Sequence, residues 1–249
     1  MITDNSAAEN KSKYFDFKKL SKLIDNITAY EYKGWNGLIV TKFYLPAKTA
    51  ITNSLIDKNY PDLIKKEKIF VTTQGNLKLK SDKLDTLFKE FDAIDFTSSS
   101  QNYNFNSLKD TTVFMIGAKE SKFSEGKANF FNFKKDIKAK DLWGGQIISR
   151  PYEGKDLTLV LFDLKPGFKF EDKGHANEQI TWLTEGLMEF YADGKKKTIT
   201  PDIGVDIGPN HVHGGVSSGA IGFDAFFPKR KEIKYIKKIK INDSSVIGW

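Results

Sequence analysis

Two stretches of this chain, 111 residues apart, line up with each other, and that internal repeat constrains the fold more than any other feature. "EKIFVTTQGNLKL" (67–79) aligns with "EQITWLTEGLMEF" (178–190): Glu67 with Glu178, Ile69 with Ile180, Thr73 with Thr184 and Gly75 with Gly186. At almost the same offset "DAIDFTSSS" (92–100) lies over "DIGVDIGPN" (202–210), with Asp95 over Asp206. Upstream, "LIVTKFYLPA" (38–47) resembles "LTLVLFDLKPG" (157–167) at an offset of about 120, so the first copy carries a longer loop. Internal repetition of this kind is the mark of a fold built twice. Each copy reads as short β-branched and aromatic runs bounded by Gly, Pro, Asn and Asp, which are strand and turn signals. Two all-β units of about 100 residues point to two sandwiches or jelly-roll barrels. Residues 14–29, "YFDFKKLSKLIDNITA", carry a helical period and are expected to form a short N-terminal helical arm. The boundaries expected are 1–30 for the arm, 31–123 for the first barrel, 124–145 for a linker, 146–235 for the second barrel and 236–249 for a C-terminal tail.

Composition narrows the function. The chain has no cysteine, which excludes disulfides and thiolate metal sites. No window reaches the roughly 20 apolar residues of a membrane-spanning helix, and the N-terminus has no signal-type apolar run, so a cytoplasmic protein without a membrane partner is expected. The formal charge is +7, but Arg150 and Arg230 are the only arginines against 37 lysines. Nucleic-acid readers rely on Arg for bidentate contacts, so scattered lysine reads as a solvated surface and no nucleic-acid partner is expected. The densest basic stretch, 228–241, suits an edge strand or a short amphipathic helix.

Only three histidines occur, His175, His211 and His213, all in the second copy. Side chains alternate along a strand, so a regular strand would put Lys173, His175 and Gln179 on one face. His211 and His213 share a parity, as do Asp224 and Phe226. A barrel could turn these faces inward, gathering imidazoles and an amide oxygen around one point, donors that suit a divalent transition metal. A single His in a β protein is most often a satisfied polar group; the clustering of all three favours a site. Asp224 lies among phenylalanines, where a carboxylate needs a partner or a role.

"PGFKFEDKGHANEQITWLTEGLMEF" followed by "GPNHVHGG" resembles the two motifs of the cupin superfamily, and the pair of copies resembles a bicupin. The resemblance implies two tandem cupin-type jelly-roll β-barrels. It implies His175, Gln179 and His213 as ligands of a divalent metal (Fe, Ni, Mn or Zn). The family's first motif histidine falls on Lys173, whose ammonium would repel a cation; His211, Glu171 and Asp172 are the candidates to compensate. Two subgroups are most similar: the pectin-degradation cupins that linearise unsaturated uronates, and the bacilysin-biosynthesis bicupin isomerase. The ending "DAFFPKR" resembles theirs and implies Asp224, Phe226 and Arg230 as catalytic residues. In the first copy Lys68 and Asn102 stand where Gln179 and His213 stand, so that barrel is expected to hold no metal and to act in packing, dimerisation or as a lid.

The function expected on this basis is a metal-dependent isomerase or lyase acting on a small carboxylate-bearing substrate, a sugar acid or keto acid. Asp224 would move the proton, Arg230 or Lys173 would pair with the substrate carboxylate, and His211 would also contact substrate. The alternative is a non-catalytic degenerate bicupin that binds a small anion; a purely structural barrel is a third. Exposed barrel edges point to a homodimer.

Overall fold

The computed structural model describes residues 11–81, 84–96, 102–122 and 128–231. Its first half contains β1 (Lys13–Asp16), β2 (Ser21–Ile24), β3 (Ile27–Lys33), β4 (Leu38–Leu45) and β5 (Ala50–Thr52), then the helix α1 (Asn53–Asn59). There follow β6 (Lys68–Gln74), β7 (Leu77–Ser81), β8 (Asp85–Phe88), β9 (Asp92–Phe96), β10 (Tyr103–Ser107), β11 (Thr111–Ala118) and β12 (Asn129–Asn132). The second half contains β13 (Lys140–Leu142), β14 (Ile147–Glu153), β15 (Thr158–Leu164), β16 (Lys169–Asp172), β17 (Glu178–Ala192), β18 (Lys195–Ile199), β19 (Ile203–Ile207) and β20 (His213–Phe227). Among the described residues no helix is long and apolar enough to cross a membrane.

These strands make two antiparallel barrels. A seven-stranded sheet, β12-β9-β6-β11-β4-β3-β2, and a four-stranded sheet, β5-β10-β7-β8, form the first. A nine-stranded sheet built on β1-β19-β17-β20-β15-β14-β13 wraps around itself to form the second, with β16 and β18 pairing to β20 and β17. The long strands β17 and β20 run through both walls of that barrel. They bend at register shifts beside Gly186 and Gly219, whose φ values of 76° and 98° only glycine adopts freely.

The runs "LIVTKFYL" and "TLVLFDL" are apolar on both faces because both faces are buried. On β4, Leu38 and Val40 face a core between the barrels, while Ile39 and Phe43 fill the first barrel. On β20, Phe223, Ala225 and Phe227 join the inter-barrel core, with Ile180 and Trp182 of β17. The even-numbered residues of β20 after Gly219 are left to face the second barrel's interior.

Residues 14–29 are extended, not helical. Phe17–Leu20 form one 3-10 turn capped by Asp16, between β1 and β2. β1 pairs with β19 of the second barrel, whereas β2 pairs with β3 of the first. The apolar positions that mimic a helical period are buried by a chain changing sheets: Phe15 and Phe17 enter the inter-barrel core, and Ile24 and Ile27 the first barrel. The expected linker likewise contributes an edge strand to each sheet, β12 pairing with β9 and β13 with β14. Residues 232–249, which include most of the basic stretch and the tail, lie outside the described residues.

The first barrel's interior is filled. Phe70, Phe96, Tyr103 and Phe105 pack as a ring cluster. The longer loop of this copy folds as α1, capped by Thr52, and buries Ile56, Tyr60 and Leu63 against that cluster. Lys68, at the position of Gln179, is buried and donates to the carbonyl oxygens of Leu63 at 2.7 Å and Lys66 at 3.1 Å. Burial lowers its ammonium pKa to about 8. Asn102 is exposed and its Oδ1 accepts from Asn53.

Candidate metal centre in the second barrel

A narrow pocket opens into the second barrel, with Phe162, Leu164, Phe170, Met188, Phe190 and Phe226 among its apolar walls. Its polar groups are Asp172, Gln179, Thr181, His213, Asp224 and Arg230. The strand register brings them together. Gln179 lies opposite Phe226, Thr181 opposite Asp224, and Asp172 opposite His213. Directly opposed residues of an antiparallel pair share a face.

His213 and Asp224 lie on one strand, not two, and differ in parity. The left-handed Gly219 between them resets the alternation so that both face inward. His175 is in the loop between β16 and β17, where Gly174 has φ 101°. That loop is held by the Gly174 N–H donating to Asp172 Oδ1 at 2.9 Å and the Asn210 N–H donating to His175 O at 2.6 Å.

Asp172, His175 and His213 each present a ligand atom, all within 4.8 Å of one another. His213 Nδ1 bonds the carbonyl oxygen of His211 at 2.9 Å, which puts its proton on Nδ1 and leaves Nε2 with the lone pair. His175 Nε2–H donates to Gln179 Oε1 at 2.9 Å, a proton that an ion bound there would replace, while its buried Nδ1 has no hydrogen-bond partner. Two donors that share an ion at about 2.1 Å at right angles stand about 3 Å apart, so this spacing fits neighbouring ligands. Burial, then Arg230, pushes the His175 pKa down to about 4, and burial also lowers that of His213. Both rings are therefore neutral at neutral pH, the state that coordinates metal. Burial works against ionisation of Asp172, but His213 and Arg230 outweigh it and hold the carboxyl below its ordinary range. The donor set His175, Gln179, His213 and Asp172 thus fits a divalent ion of the nitrogen-and-oxygen-binding type.

Above this cluster, Arg230 Nη2 donates to Asp172 Oδ2 at 3.1 Å, and its guanidinium lies 5.1 Å from the Phe226 ring centre. Asp224 Oδ1 accepts from Thr181 Oγ1 at 2.7 Å and Gln179 Nε2 at 3.1 Å. These bonds turn the Gln179 amide so that its oxygen faces His175. Burial raises the Asp224 pKa to about 6, against the opposing effect of Thr181.

The expected substrate contacts His211 and Lys173 are not brought to the pocket. His211 Nδ1 pairs with Asp193 Oδ1 at 2.5 Å. Lys173 is exposed and pairs with Glu171. β16 ends at Asp172, so the strand alternation that would have aligned Lys173 with His175 does not extend to it. Asp172, one residue earlier, takes the inward place. Thr181, which orients Asp224, was not singled out from sequence; its signal is the two-residue spacing from Gln179 on one strand.

No protein-family model matches the sequence, and no curated protein matches it. Solved structures do. The putative glyoxylate-induced protein of Pseudomonas aeruginosa matches with a TM-score of 0.72 at 11% identity, over 95% of this chain and 93% of that one. Ylba from E. coli matches at 0.68 and 12% identity, over 90% and 94%. Oxalate decarboxylase of Bacillus subtilis, which has Mn(II) centres, matches at 0.67 and 9% identity, over 90% and 78%. A "cupin 2 conserved barrel domain protein" from Leptotrichia buccalis matches at 0.60 and 15%. The fold is that of two tandem cupin-type jelly-roll barrels, as the repeat and the motifs led us to expect.

Proposed function

We propose that the protein is a metal-dependent cupin enzyme of isomerase or lyase type acting on a small carboxylate-bearing substrate. The observation that carries this reading is the convergence of Asp172, His175 and His213 within 4.8 Å at a pocket that also holds Arg230 and Asp224. His175, Gln179, His213 and Asp172 would hold the ion. When bound, it supplies Lewis-acid polarisation of a carbonyl or hydroxyl oxygen. Arg230 pairs with the substrate carboxylate through its planar fork. Asp224, with a pKa near 6, holds or takes the proton. Phe226 packs against His175 and beneath Arg230 and keeps water from the reacting carbon. The substrate class is a sugar acid or keto acid, in keeping with the resemblance to the uronate-linearising cupins and the bacilysin-pathway isomerase.

A second reading, an anion-binding bicupin without turnover, is favoured by one contact: the Arg230 guanidinium already neutralises Asp172 at 3.1 Å. The two readings separate in one experiment. Protein supplied with Mn2+ or Zn2+ is assayed against uronates and 2-keto acids by NMR, alongside chelated protein and the Asp224→Asn variant. The enzyme reading predicts turnover that needs metal and falls at least about 100-fold in Asp224→Asn. Anion binding that survives chelation, with no substrate converted, supports the second reading instead.

A further inference from the structure

The two barrels grip each other through a pair of buried carboxylates related by the internal repeat. Glu67, at the entry of β6, accepts from the backbone N–H groups of Lys155, Asp156 and Leu157 in the second barrel at 2.6, 2.7 and 3.0 Å. Glu178, at the entry of β17, accepts from those of Asn36 and Leu38 in the first barrel at 3.0 and 3.2 Å. Both side chains are fully buried. A matching Tyr–Asp bond accompanies each: Tyr152 to Asp95 at 2.8 Å, and Tyr32 to Asp206 at 3.0 Å. A Cβ placed on Gly154 would overlap the Glu67 carboxylate, and one on Gly34 that of Glu178. Neither glycine has a positive φ, so a side chain at either would act by displacing the carboxylate that lies against it.

Each clamp residue directly precedes the residue whose side chain enters its own barrel. Glu67 precedes Lys68, and Glu178 precedes Gln179. Alternation along the strand sends the Glu178 carboxylate into the first barrel while Gln179 points into the second barrel's pocket. The residue before this clamp, Asn177, closes the loop that carries His175, and Glu178 is the first paired residue of β17.

We propose that Glu178, held by the Gly34–Leu38 loop of the first barrel, is a positioning residue for the centre in its own, second barrel. The first barrel, whose own interior is packed, sets the placement of Gln179 and, through their shared hydrogen bond, of His175. This inference rests on the metal reading for its purpose, but it makes a claim about the metal-free geometry that is tested separately. Buried carboxylate bonds to several backbone donors are strong and directional, whereas apolar packing between the same barrels fixes distance with less angular restraint.

The test uses the full chain, stripped of metal by chelation, and reads the imidazole nitrogens by NMR; with three histidines the signals are few. The variants are Glu178→Gln and Gly34→Ala at the clamp. The control is Ile116→Ala, with Ile116→Val as its milder form, on β11 in the inter-barrel core and outside the Glu178 hydrogen bonds. Thermal unfolding of each variant is measured in parallel. The proposal predicts that the His175 signal moves in Glu178→Gln and Gly34→Ala and stays in the Ile116 variants even where these unfold at lower temperature. Zn2+ titration of the same samples should show affinity weakened about 10-fold or more by the clamp variants alone. An unmoved His175 in Glu178→Gln, or an equal movement in the Ile116 variants, would overturn it. Failure of the wild type to take up metal would instead contradict the proposed function and leave the His175 result to stand by itself.

Discussion

Lys173 and Asp172 differ by one position, and the centre depends on which of them faces inward. A lysine there would repel an ion, while an aspartate adds an oxygen donor and a compensating charge. His175, Gln179, His213, Asp224, Phe226 and Arg230, singled out as one site from sequence, stand near one another, although His175 lies in a loop and His213 and Asp224 differ in parity on one strand. Sequence alone could not choose among Glu171, Asp172 and His211, since the choice depends on where β16 stops. His211 had the right residue type and spacing, but its ring is drawn away by Asp193. The Asp224→Asn variant belongs at this scale too. Asn keeps the shape and an acceptor oxygen for Thr181 and Gln179, so Zn2+ affinity by calorimetry should change by no more than a few fold while turnover is lost. A large loss of affinity would mean that the charge of Asp224, not its proton chemistry, is what the centre needs.

At the scale of elements, the loop between β16 and β17 decides whether the His175 ring stands beside Gln179 and His213. Gly174 sits at φ 101°, and a Cβ there would come within 2.7 Å of the Asn210 carbonyl carbon. Gly174→Ala should therefore cost about 1–3 kcal/mol of stability and weaken metal binding, as read by urea unfolding and a Zn2+ titration. Unchanged stability would show that the loop can shift without loss, and that His175 is less firmly placed than we argue. The strands themselves were legible because a duplicated pattern gives two readings of each. The segment 14–29 was misread because its apolar residues serve two different cores in succession, a pattern that mimics helical spacing without a helix. That β1 crosses to the second barrel had no local signal, since pairing with β19 is a contact across most of the chain.

For the whole molecule, the repeat encodes an interface as well as a fold. The alignment of Glu67 with Glu178 and Asp95 with Asp206 picked out the residues that join the barrels, although sequence alone offered no role for them. Burial, reinforced by Glu67, raises the Asp95 pKa to about 8; burial, reinforced by Glu178, does the same for Asp206. Tyr152 and Tyr32 donate to these carboxyls, and Lys13 opposes the rise at Asp206. In the unfolded chain both ionise near pH 4. Between about pH 4 and 8 these two carboxyls hold protons in the folded state that they lose in the unfolded state, so their contribution falls as pH rises; His175 and His213, whose pKa values burial lowers, oppose it below about pH 6.5. Below pH 4 the sign reverses, because Asp202, its pKa lowered by Lys18, stabilises only while ionised. The urea midpoint should be higher at pH 5 than at pH 8; the opposite order would mean that these carboxyls are ionised and well solvated in the folded protein.

The most direct test of the metal centre is elemental analysis of the untagged protein after exposure to Mn2+ or Zn2+ and desalting, for the wild type, His213→Ala and His211→Ala. We predict close to one ion per chain in the wild type and in His211→Ala, and little in His213→Ala. A wild type that takes up no metal, or a His213→Ala variant that keeps it, would contradict the centre described here.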